Sequence, residues 1–216
     1  MSGIEWQLDE LGFVTGSVHE AIVTTMSSDG SLNAAPMGVT RTGPETLELK
    51  LFTTSTTCAN LLSNPSACVN VTEDPALYLV TAFKEADFPG FPVPSIDRDL
   101  RLGSSDAHVL IAVEKSLEES KLREVFNGEV SSVEVTRSLP RVFSRGRAEA
   151  IEAIIHATRI EVFSKQGDKE RVERLIKRFR ECKDVVNRTS VTDSNEARVI
   201  RELEKMIEGW RDRASG

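Results

Sequence analysis

The spacing of apolar residues changes near residue 146, and this change constrains the fold more than any other feature of the chain. Before it, short β-branched and apolar segments alternate with turn residues, which is typical of strands. After it, apolar residues recur at the spacing of amphipathic helices. The charges divide similarly: residues 1–110 carry 5 Lys and Arg against 14 Asp and Glu, whereas residues 111–216 carry 22 against 20. We therefore predict an α+β chain with a β-rich domain over residues 1–140 and a helical domain over residues 141–216.

Six segments of the first domain have the composition of strands. They lie at residues 21–26, 31–40, 46–52, 67–72, 109–113 and 130–135. A turn at residues 27–30 predicts that the first two form a hairpin. Pro36 and Gly38 indicate an edge or a bulge in the second strand, because proline has no N–H for a ladder hydrogen bond. A short helix is expected at residues 58–63, ending before Pro65.

Longer helices are predicted later in the chain. One covers residues 76–84 and follows Asp74 and Pro75, since proline is tolerated in the first turn of a helix. Three amphipathic helices fill the chain after residue 146, which predicts a C-terminal three-helix domain. Asp193 and Glu196, which precede the last apolar stripe, are close to a capping box.

The composition excludes several classes of protein. Cys58, Cys68 and Cys182 are odd in number and include no Cys-x-x-Cys pair, so we expect neither a disulfide framework nor a zinc site. The three histidines are widely dispersed, and we expect no other metal site. The first ten residues lack the charge and apolar run of a signal peptide, and no apolar stretch reaches ~18 residues. We therefore expect a cytoplasmic protein with no membrane partner.

Nucleic acid is not an expected partner either. The net charge is −7, whereas affinity for nucleic acid comes largely from Lys and Arg that neutralise phosphates. Lys and Arg are dense at residues 169–183, but Glu170, Glu173 and Glu181 are interleaved with them. Such mixed charge favours a solvated helix face.

The most informative local pattern is a run of five hydroxyl residues at positions 53–57, directly before the short helix. Amides at a helix N-terminus bind phosphate, and hydroxyl groups add further donors. The same run also fits a helix cap without a ligand. Likewise, residues 33–38 fit either a ligand contact or a bulged edge strand. The residues alone leave both alternatives open.

Taken in order, these segments resemble the FMN-binding split-barrel superfamily of flavin reductases and pyridoxamine-phosphate-oxidase-like proteins. The resemblance rests on Asn33-x-Ala35-Pro36, on Phe52 and the hydroxyl run leading to Asn60-Leu61, and on Val69-Asn70-Val71. With Asn70-x-Thr72-x-Asp74-Pro75 and Glu152-Ala-x-x-His156-Ala-Thr-Arg159, the chain is similar to the domain-of-unknown-function 447 family. That family combines a split barrel with a C-terminal helical domain. The expected fold is therefore a split β-barrel of the FMN-binding type with a C-terminal three-helix domain.

The resemblance implies FMN as cofactor and a set of residues that bind it. Backbone groups of residues 33–38 would lie along the isoalloxazine edge, and the hydroxyl residues would hold the phosphate. Oxidase members usually follow the hydroxyls with Arg or Lys, whereas Cys58 and Ala59 stand here, which favours a reductase-like or purely flavin-binding member. The candidate cofactor-binding residues are Asn33, Ala34, Ala35, Pro36, Met37, Gly38, Arg41, Thr54, Ser55, Thr56, Thr57, Asn60 and Asn70.

The implied function is an FMN-dependent oxidoreductase, assembled as a homodimer with FMN at the subunit interface and reduced by a nicotinamide or another donor. A flavin-binding module without turnover is the alternative, and a helical interaction domain on a barrel without a ligand is a third. No catalytic residue is predicted. Glu152, His156 and Arg159 share one helical face, where His156 and Glu152 fit an acid–base pair, a contact to a substrate between the domains, or a structural polar network.

Overall fold

The computed structural model describes residues 2–119, 122–137 and 144–215. The chain forms two compact units, one of residues 1–72 and 94–140, the other of residues 73–93 and 141–216. The predicted boundary between residues 140 and 141 lies outside the described residues. Residues 73–93, which the sequence analysis assigned to the first domain, group with the helical unit instead. No helix of the described ranges combines the length and the apolar character needed to cross a membrane.

The first unit is a closed barrel of six antiparallel strands. The strands are β1 (Val18–Met26), β2 (Leu32–Arg41), β3 (Thr46–Phe52), β4 (Ser66–Val71), β5 (Ala107–Glu119) and β6 (Arg123–Val135). Around the barrel they follow the order β1, β2, β3, β6, β5, β4, and β4 pairs with β1 to close it. Each predicted strand segment forms one of these strands. The last two are longer than predicted, because their outer portions carry charged residues in place of a continuous apolar pattern.

Alternating side chains of the strands fill the barrel. In β3, Leu47, Leu49 and Leu51 are buried and belong to the core cluster, while Lys50 between them is exposed. Burial of each such leucine stabilises the fold by roughly 2 kcal/mol relative to an exposed position. The period of two in the sequence therefore decides which side of the strand faces inward.

Two short helices add to the barrel core. The helix α1 (Gly3–Glu10) contributes Leu8, and α2 (Thr56–Ser63) contributes Cys58 and Leu61. The α1 helix was not predicted, because Leu8 is its one buried residue and no repeating apolar pattern marks it. It begins after Ser2, whose Oγ accepts a hydrogen bond of 3.0 Å from the Glu5 amide.

The second unit contains four helices among its described residues. They are α3 (Pro75–Ala82), α4 (Arg145–Gln166), α5 (Lys169–Thr189) and α6 (Asn195–Ser215). The predicted three-helix domain therefore gains α3, which lies between β4 and β5 in the chain and packs against α4 and α6. Phe83, which ends α3, lies 5.9 Å from Trp210 of α6 between ring centroids. Since α3 is buried along most of its length, it needs these apolar neighbours.

The helix ends follow local capping chemistry. Gly167 adopts the left-handed conformation (φ 73°) that ends α4, and Asp168 then accepts a hydrogen bond from the Arg171 amide at 3.1 Å to start α5. At α6, the side chain of Ser194 accepts from the Ala197 amide at 3.3 Å. The capping residue is therefore Ser194, one position after the predicted Asp193.

Candidate functional site

The candidate site lies in the barrel unit, where the start of α2 meets the start of β2. The amide Nδ2 of Asn33 donates a hydrogen bond of 3.1 Å to Thr57 Oγ1, and both side chains are buried. Asn33 is on β2 and Thr57 is in the first turn of α2, 24 residues further along the chain. The hairpin segment and the hydroxyl run, which the sequence analysis treated as separate candidates, are therefore in direct contact.

One edge of β2 is open over most of its length. Residues 32–40 of β2 pair with β1, but β3 pairs only with Val39, Thr40 and Arg41. In the part of the chain that the structure describes, no strand pairs with the second edge of β2 between Leu32 and Gly38. The strand β2 is thus an edge strand at Pro36 and Gly38, as these two residues predicted.

The ladder register shows which backbone groups face this open edge. The Ser27 amide donates to the Ser31 carbonyl at 2.9 Å, and hydrogen-bonded pairs of an antiparallel ladder recur at every second residue. The amides and carbonyls of Ala35 therefore point to β1, and those of Ala34 and Gly38 point to the open edge. Pro36 also falls on the open side, so its missing N–H removes no hydrogen bond from the β1 ladder.

The hydroxyl run forms the turn that leads into α2. Ser55 is the N-cap: its Oγ accepts from the Cys58 amide at 3.2 Å and donates to the Phe52 carbonyl at 2.8 Å. Thr54 and Thr56 are exposed, so their hydroxyls face solvent. The first amides of a helix have no intrahelical acceptor, and here they lie beside these hydroxyls. The capping interpretation is correct for Ser55, while the neighbouring donors remain available for an anion.

Two asparagines of the candidate set have structural partners. Asn60 Nδ2 donates to Thr25 Oγ1 at 3.0 Å, which fastens α2 to β1. Asn70, fully buried on β4, donates to the Ile22 carbonyl at 2.9 Å and accepts from the Leu102 amide at 2.8 Å. Its Oδ1 also lies 3.0 Å from Nδ1 of the buried His108. Burial lowers the pKa of His108, so the ring is held neutral with Nδ1 as the donor.

Arg41 lies apart from this group. It ends β2, and eight residues of strand separate it from Asn33, a span of roughly 26 Å. Its side chain is 4% exposed, and the guanidinium donates to Asp9 Oδ1 of α1 and to the carbonyls of Phe13 (2.8 Å) and Gly43 (3.0 Å). The expected exposed strand charge or cofactor contact is instead a buried link between β2 and α1.

A cation that the sequence analysis missed lies beside the hydroxyl run. Arg123 opens β6 directly opposite Phe52, and its guanidinium carbon lies 4.6 Å from the centre of the Phe52 ring. Within the described ranges, no carboxylate lies at ion-pair distance from Arg123. The predicted strand began only at residue 130, so nothing in the sequence connected Arg123 to residues 53–57. Strand pairing thus brings the positive charge of Arg123 to the hydroxyl run, whereas Cys58 and Ala59, which directly follow the run in the sequence, carry no charge.

Cys58 itself is not a ligand group in this arrangement. Its side chain is buried in the barrel core. Burial raises the pKa of the thiol, and the nearby Glu124 carboxylate raises it further. Cys58 therefore stays protonated and packs as a small apolar residue.

The polar stripe of α4 belongs to the helical unit. His156 is 3% exposed, and its Nε2 lies 3.3 Å from Glu152 Oε1. The buried Nδ1 has no hydrogen-bond partner among the described residues. Burial lowers the pKa of His156, and the Glu152 carboxylate opposes this effect only in part. Arg159 is exposed, so the structure joins the first two residues of the predicted triad and leaves the third at the surface.

The fold and the family can now be stated. A closed six-stranded antiparallel barrel with an open stretch of strand edge and a helix between β3 and β4 is a split barrel, as predicted. The model of the family described as protein of unknown function (DUF447), N-terminal domain, matches residues 19–137. The chain belongs to this family, which confirms the family expected from the sequence.

Solved structures include related folds. An FMN-bound DUF447 protein from Methanosarcina mazei has a TM-score of 0.70 and 22% sequence identity to the chain, covering 92% of this chain and 98% of that one. The flavin reductase of styrene monooxygenase from Pseudomonas putida S12 has a TM-score of 0.46 and 16% identity, covering 55% and 80%. A flavoredoxin from Methanosarcina acetivorans has a TM-score of 0.45 and 14% identity, covering 59% and 76%. The first similarity establishes the shared fold over nearly the whole chain.

Proposed function

We propose that the barrel unit binds FMN and that the protein is an FMN-dependent oxidoreductase. The observation that carries the proposal is the Asn33–Thr57 hydrogen bond of 3.1 Å, because it joins an open strand edge to a helix start rich in hydroxyls. An extended flat ring with a phosphate at one end requires two such neighbouring surfaces. The FMN-bound relative from Methanosarcina mazei, which shares the fold, supports the choice of ligand.

The start of α2 fits the phosphate group. Thr54, Thr56 and the N-terminal amides of α2 are donors, and the helix dipole favours a negative charge at this position. Arg123 adds a full positive charge next to Phe52. A charged donor strengthens hydrogen bonds to phosphate about twofold over neutral donors. Ser55 holds the turn in shape through its cap, so its contribution is to position the other donors.

The open edge of β2 fits the polar rim of the ring. The Ala34 and Gly38 amides and the Ala34, Pro36 and Gly38 carbonyls offer donors and acceptors along one line. Small side chains at these positions allow a flat ring to approach the backbone. When bound, FMN would supply hydride or electron transfer, and the barrel would orient the ring and set the polarity around it.

We further propose that two copies of the chain share the site. Phe52 is 57% exposed and Leu122 is 72% exposed, and Leu122 accepts a hydrogen bond from the Thr53 amide. Large apolar side chains exposed together beside a binding site are typical of interfaces. Sedimentation equilibrium should give a dimer for the wild type. Phe52→Asp with Leu122→Asp should give a monomer with weaker FMN binding, and a wild-type monomer that binds FMN tightly would contradict this arrangement.

A double variant tests the phosphate position. Thr54→Glu with Thr56→Glu places two carboxylates beside the proposed phosphate, while acidic residues in the first turn of a helix favour folding. We expect FMN affinity to fall at least about a hundredfold with no loss of thermal stability, since two close like charges cost several kcal/mol in a partly buried site. Titration calorimetry with FMN measures the affinity.

The matched control carries the same charge elsewhere on the barrel. Ser17 and Thr42 are exposed near the far end of β2, so Ser17→Glu with Thr42→Glu should leave FMN affinity within about twofold. Equal loss of affinity in both double variants would show a general effect of added negative charge and would contradict the assignment of the phosphate to the start of α2. Absorbance spectra and mass spectrometry of freshly purified protein identify any flavin that it retains.

A flavin-binding module without turnover is the second candidate. It is favoured by the residues at the open edge and the helix start, which are apolar or hydroxyl-bearing and include no acid–base side chain among those described. Stopped-flow absorbance separates the two functions. Rapid bleaching of bound FMN by NADH or NADPH supports the oxidoreductase, whereas flavin that stays oxidised with both donors supports the module.

A further inference from the structure

A basic cleft opens between two helices of the second unit. Its volume is about 440 Å³, and it lies along the antiparallel pair α4 and α5. Phe163 and Leu175 provide its apolar surface. The charged side chains that line it are Arg159, Arg171, Arg174, Lys177, Arg178 and Glu181. Among the described residues that line the cleft, five are therefore cationic and one, Glu181, carries a carboxylate.

The positive charge of this cleft is only partly neutralised. Arg171 pairs with Asp168 at 3.2 Å, and Arg174 lies 3.8 Å from Glu170. Across the described parts of the chain, no carboxylate lies at ion-pair distance from Arg159, Lys177 or Arg178. Three cations around this opening thus have no ion pair among the described residues, and Glu181 is the one carboxylate that the lining adds.

The helical turn adds to what the interleaved sequence of α5 indicated. Along the chain, acidic residues separate the basic ones, but the helical turn places Arg171, Arg174 and Arg178 on one stripe. Arg159 of α4 completes this group across the helix pair. Around the cleft, the five cations outnumber the neighbouring carboxylates of Asp168, Glu170 and Glu181, although the net charge of the whole protein is −7.

We propose that this cleft binds a linear oligophosphate, either inorganic or attached to a nucleoside. Guanidinium groups bind phosphate oxygens through paired N–H donors, and Arg159 and Arg178 are exposed and form no ion pair with any residue that the structure describes. A ligand with several adjacent negative charges meets all three unneutralised cations. The volume suits a small molecule, and the acidic character of the rest of the protein disfavours long nucleic acid.

Titration calorimetry on the full chain tests the proposal, with inorganic tripolyphosphate as the first probe. Arg159→Ala with Arg178→Ala should weaken binding at least about tenfold, which is the loss expected when charged hydrogen bonds to phosphate are removed. Both side chains are exposed, so the fold should be retained. Arg180→Ala is the matched control, because Arg180 is exposed on α5 but does not line the cleft. It should leave the affinity within about twofold.

Two further arms identify the ligand and the location. ATP that binds more tightly than tripolyphosphate would indicate a nucleoside contact with the apolar surface, and equal affinity would indicate recognition of the phosphate chain alone; both support the cleft. Thr54→Glu with Thr56→Glu should not affect tripolyphosphate binding, which separates this site from the barrel. Absence of binding heat, equal losses in the control, or equal affinity for a hexaglutamate peptide would overturn the proposal.

Discussion

Two buried polar side chains, Asn70 in the barrel unit and His156 in the helical unit, have different surroundings. Asn70 on β4 is fully buried, and both ends of its amide are satisfied by backbone and side-chain groups of neighbouring strands. His156 on α4 is equally buried, but its only described partner is Glu152, and its Nδ1 lacks one. Asn70 is therefore enclosed in a complete hydrogen-bond network and His156 is not, although buried atoms without a partner also occur among the described residues of the barrel unit, at Ser105 Oγ and Glu124 Oε2.

This difference helps to separate structural residues from ligand-binding ones. Buried polar groups with complete partners stabilise a fold, and removing one leaves its former partners without hydrogen bonds. In the described part of the barrel, the β2 edge and the hydroxyls before α2 are available to a ligand at the surface. In the helical unit they are the cations of the α4–α5 cleft.

The largest effect is expected at Arg41, because each of its three guanidinium nitrogens donates a hydrogen bond. Arg41→Ala should lower the free energy of unfolding by about 3–5 kcal/mol, because the carbonyls of Phe13, Gly43 and Pro44 all lose their donor. FMN affinity of the folded protein should not change, since the Arg41 guanidinium is bonded to Asp9 of α1 and to the Gly43 carbonyl and lies roughly 26 Å along β2 from Asn33. Urea unfolding followed by Trp6 fluorescence in a Trp210→Phe background reports on the barrel unit.

Arg123→Ala is the matched comparison for Arg41. Arg123 is exposed and without an ion pair among the described residues, so its loss should change stability by less than about 1 kcal/mol. Its loss should weaken FMN binding about tenfold, because a phosphate contact is removed. The reverse result, with FMN binding lost in Arg41→Ala alone, would restore Arg41 as the cofactor residue.

A somewhat smaller effect is expected at Asn70. Asn70→Ala should lower the free energy of unfolding by about 2–3 kcal/mol, because the Leu102 amide and His108 lose their acceptor. The loop that contains Leu102 should then be cut faster by proteases. Asn127, exposed on β6, is the control, and Asn127→Ala should have little effect on either measurement. Equal sensitivity of the two variants would show that the network does not hold the loop.

The start of α6 tests the same principle at a helix end. Ser194→Ala should lower the free energy of unfolding by about 1 kcal/mol, because the Ala197 amide loses its cap. Asp193→Ala, one residue earlier, should cost less. Circular dichroism during urea titration measures both variants, and a larger loss for Asp193→Ala would return the cap to the position predicted from the sequence.

The smallest effect is expected at His156, and it depends on pH. Burial lowers the pKa of His156, so the unfolded chain binds a proton at this residue more readily than the folded chain. Stability should therefore fall as the pH drops below the ordinary histidine pKa of 6.5. His156→Leu should reduce the dependence of stability on pH. The part that remains should include the contribution of His108, whose pKa is also lowered. Urea midpoints at pH 7.5 and 5.5 measure it, and parallel curves would contradict the assignment.

Much of the fold could be predicted from local patterns. The hairpin of β1 and β2, the alternation of β3 and the amphipathic α5 each have a periodicity that a short window of sequence displays. The site was predictable in part: residues 33–38 and 53–57 were identified, but as two separate candidates. Arg123 was missed because strand pairing with Phe52, and not sequence distance, brings it to the hydroxyl run.

By itself, the sequence determined the order of the six strands and of helices α2 to α6, the inward faces of β3 and of the C-terminal helices, and the family to which the chain belongs. Only the tertiary structure decided which edge of β2 stays unpaired. It also decided that the side chains of Arg41 and Asn70 form hydrogen bonds within the protein, and that the cations of α5 lie around one cleft with Arg159. The physical reason is the separation along the chain of the residues that determine each feature. Periodicity and capping are encoded within a few residues, whereas hydrogen-bond partners and counter-charges come from residues that only the folded chain brings together.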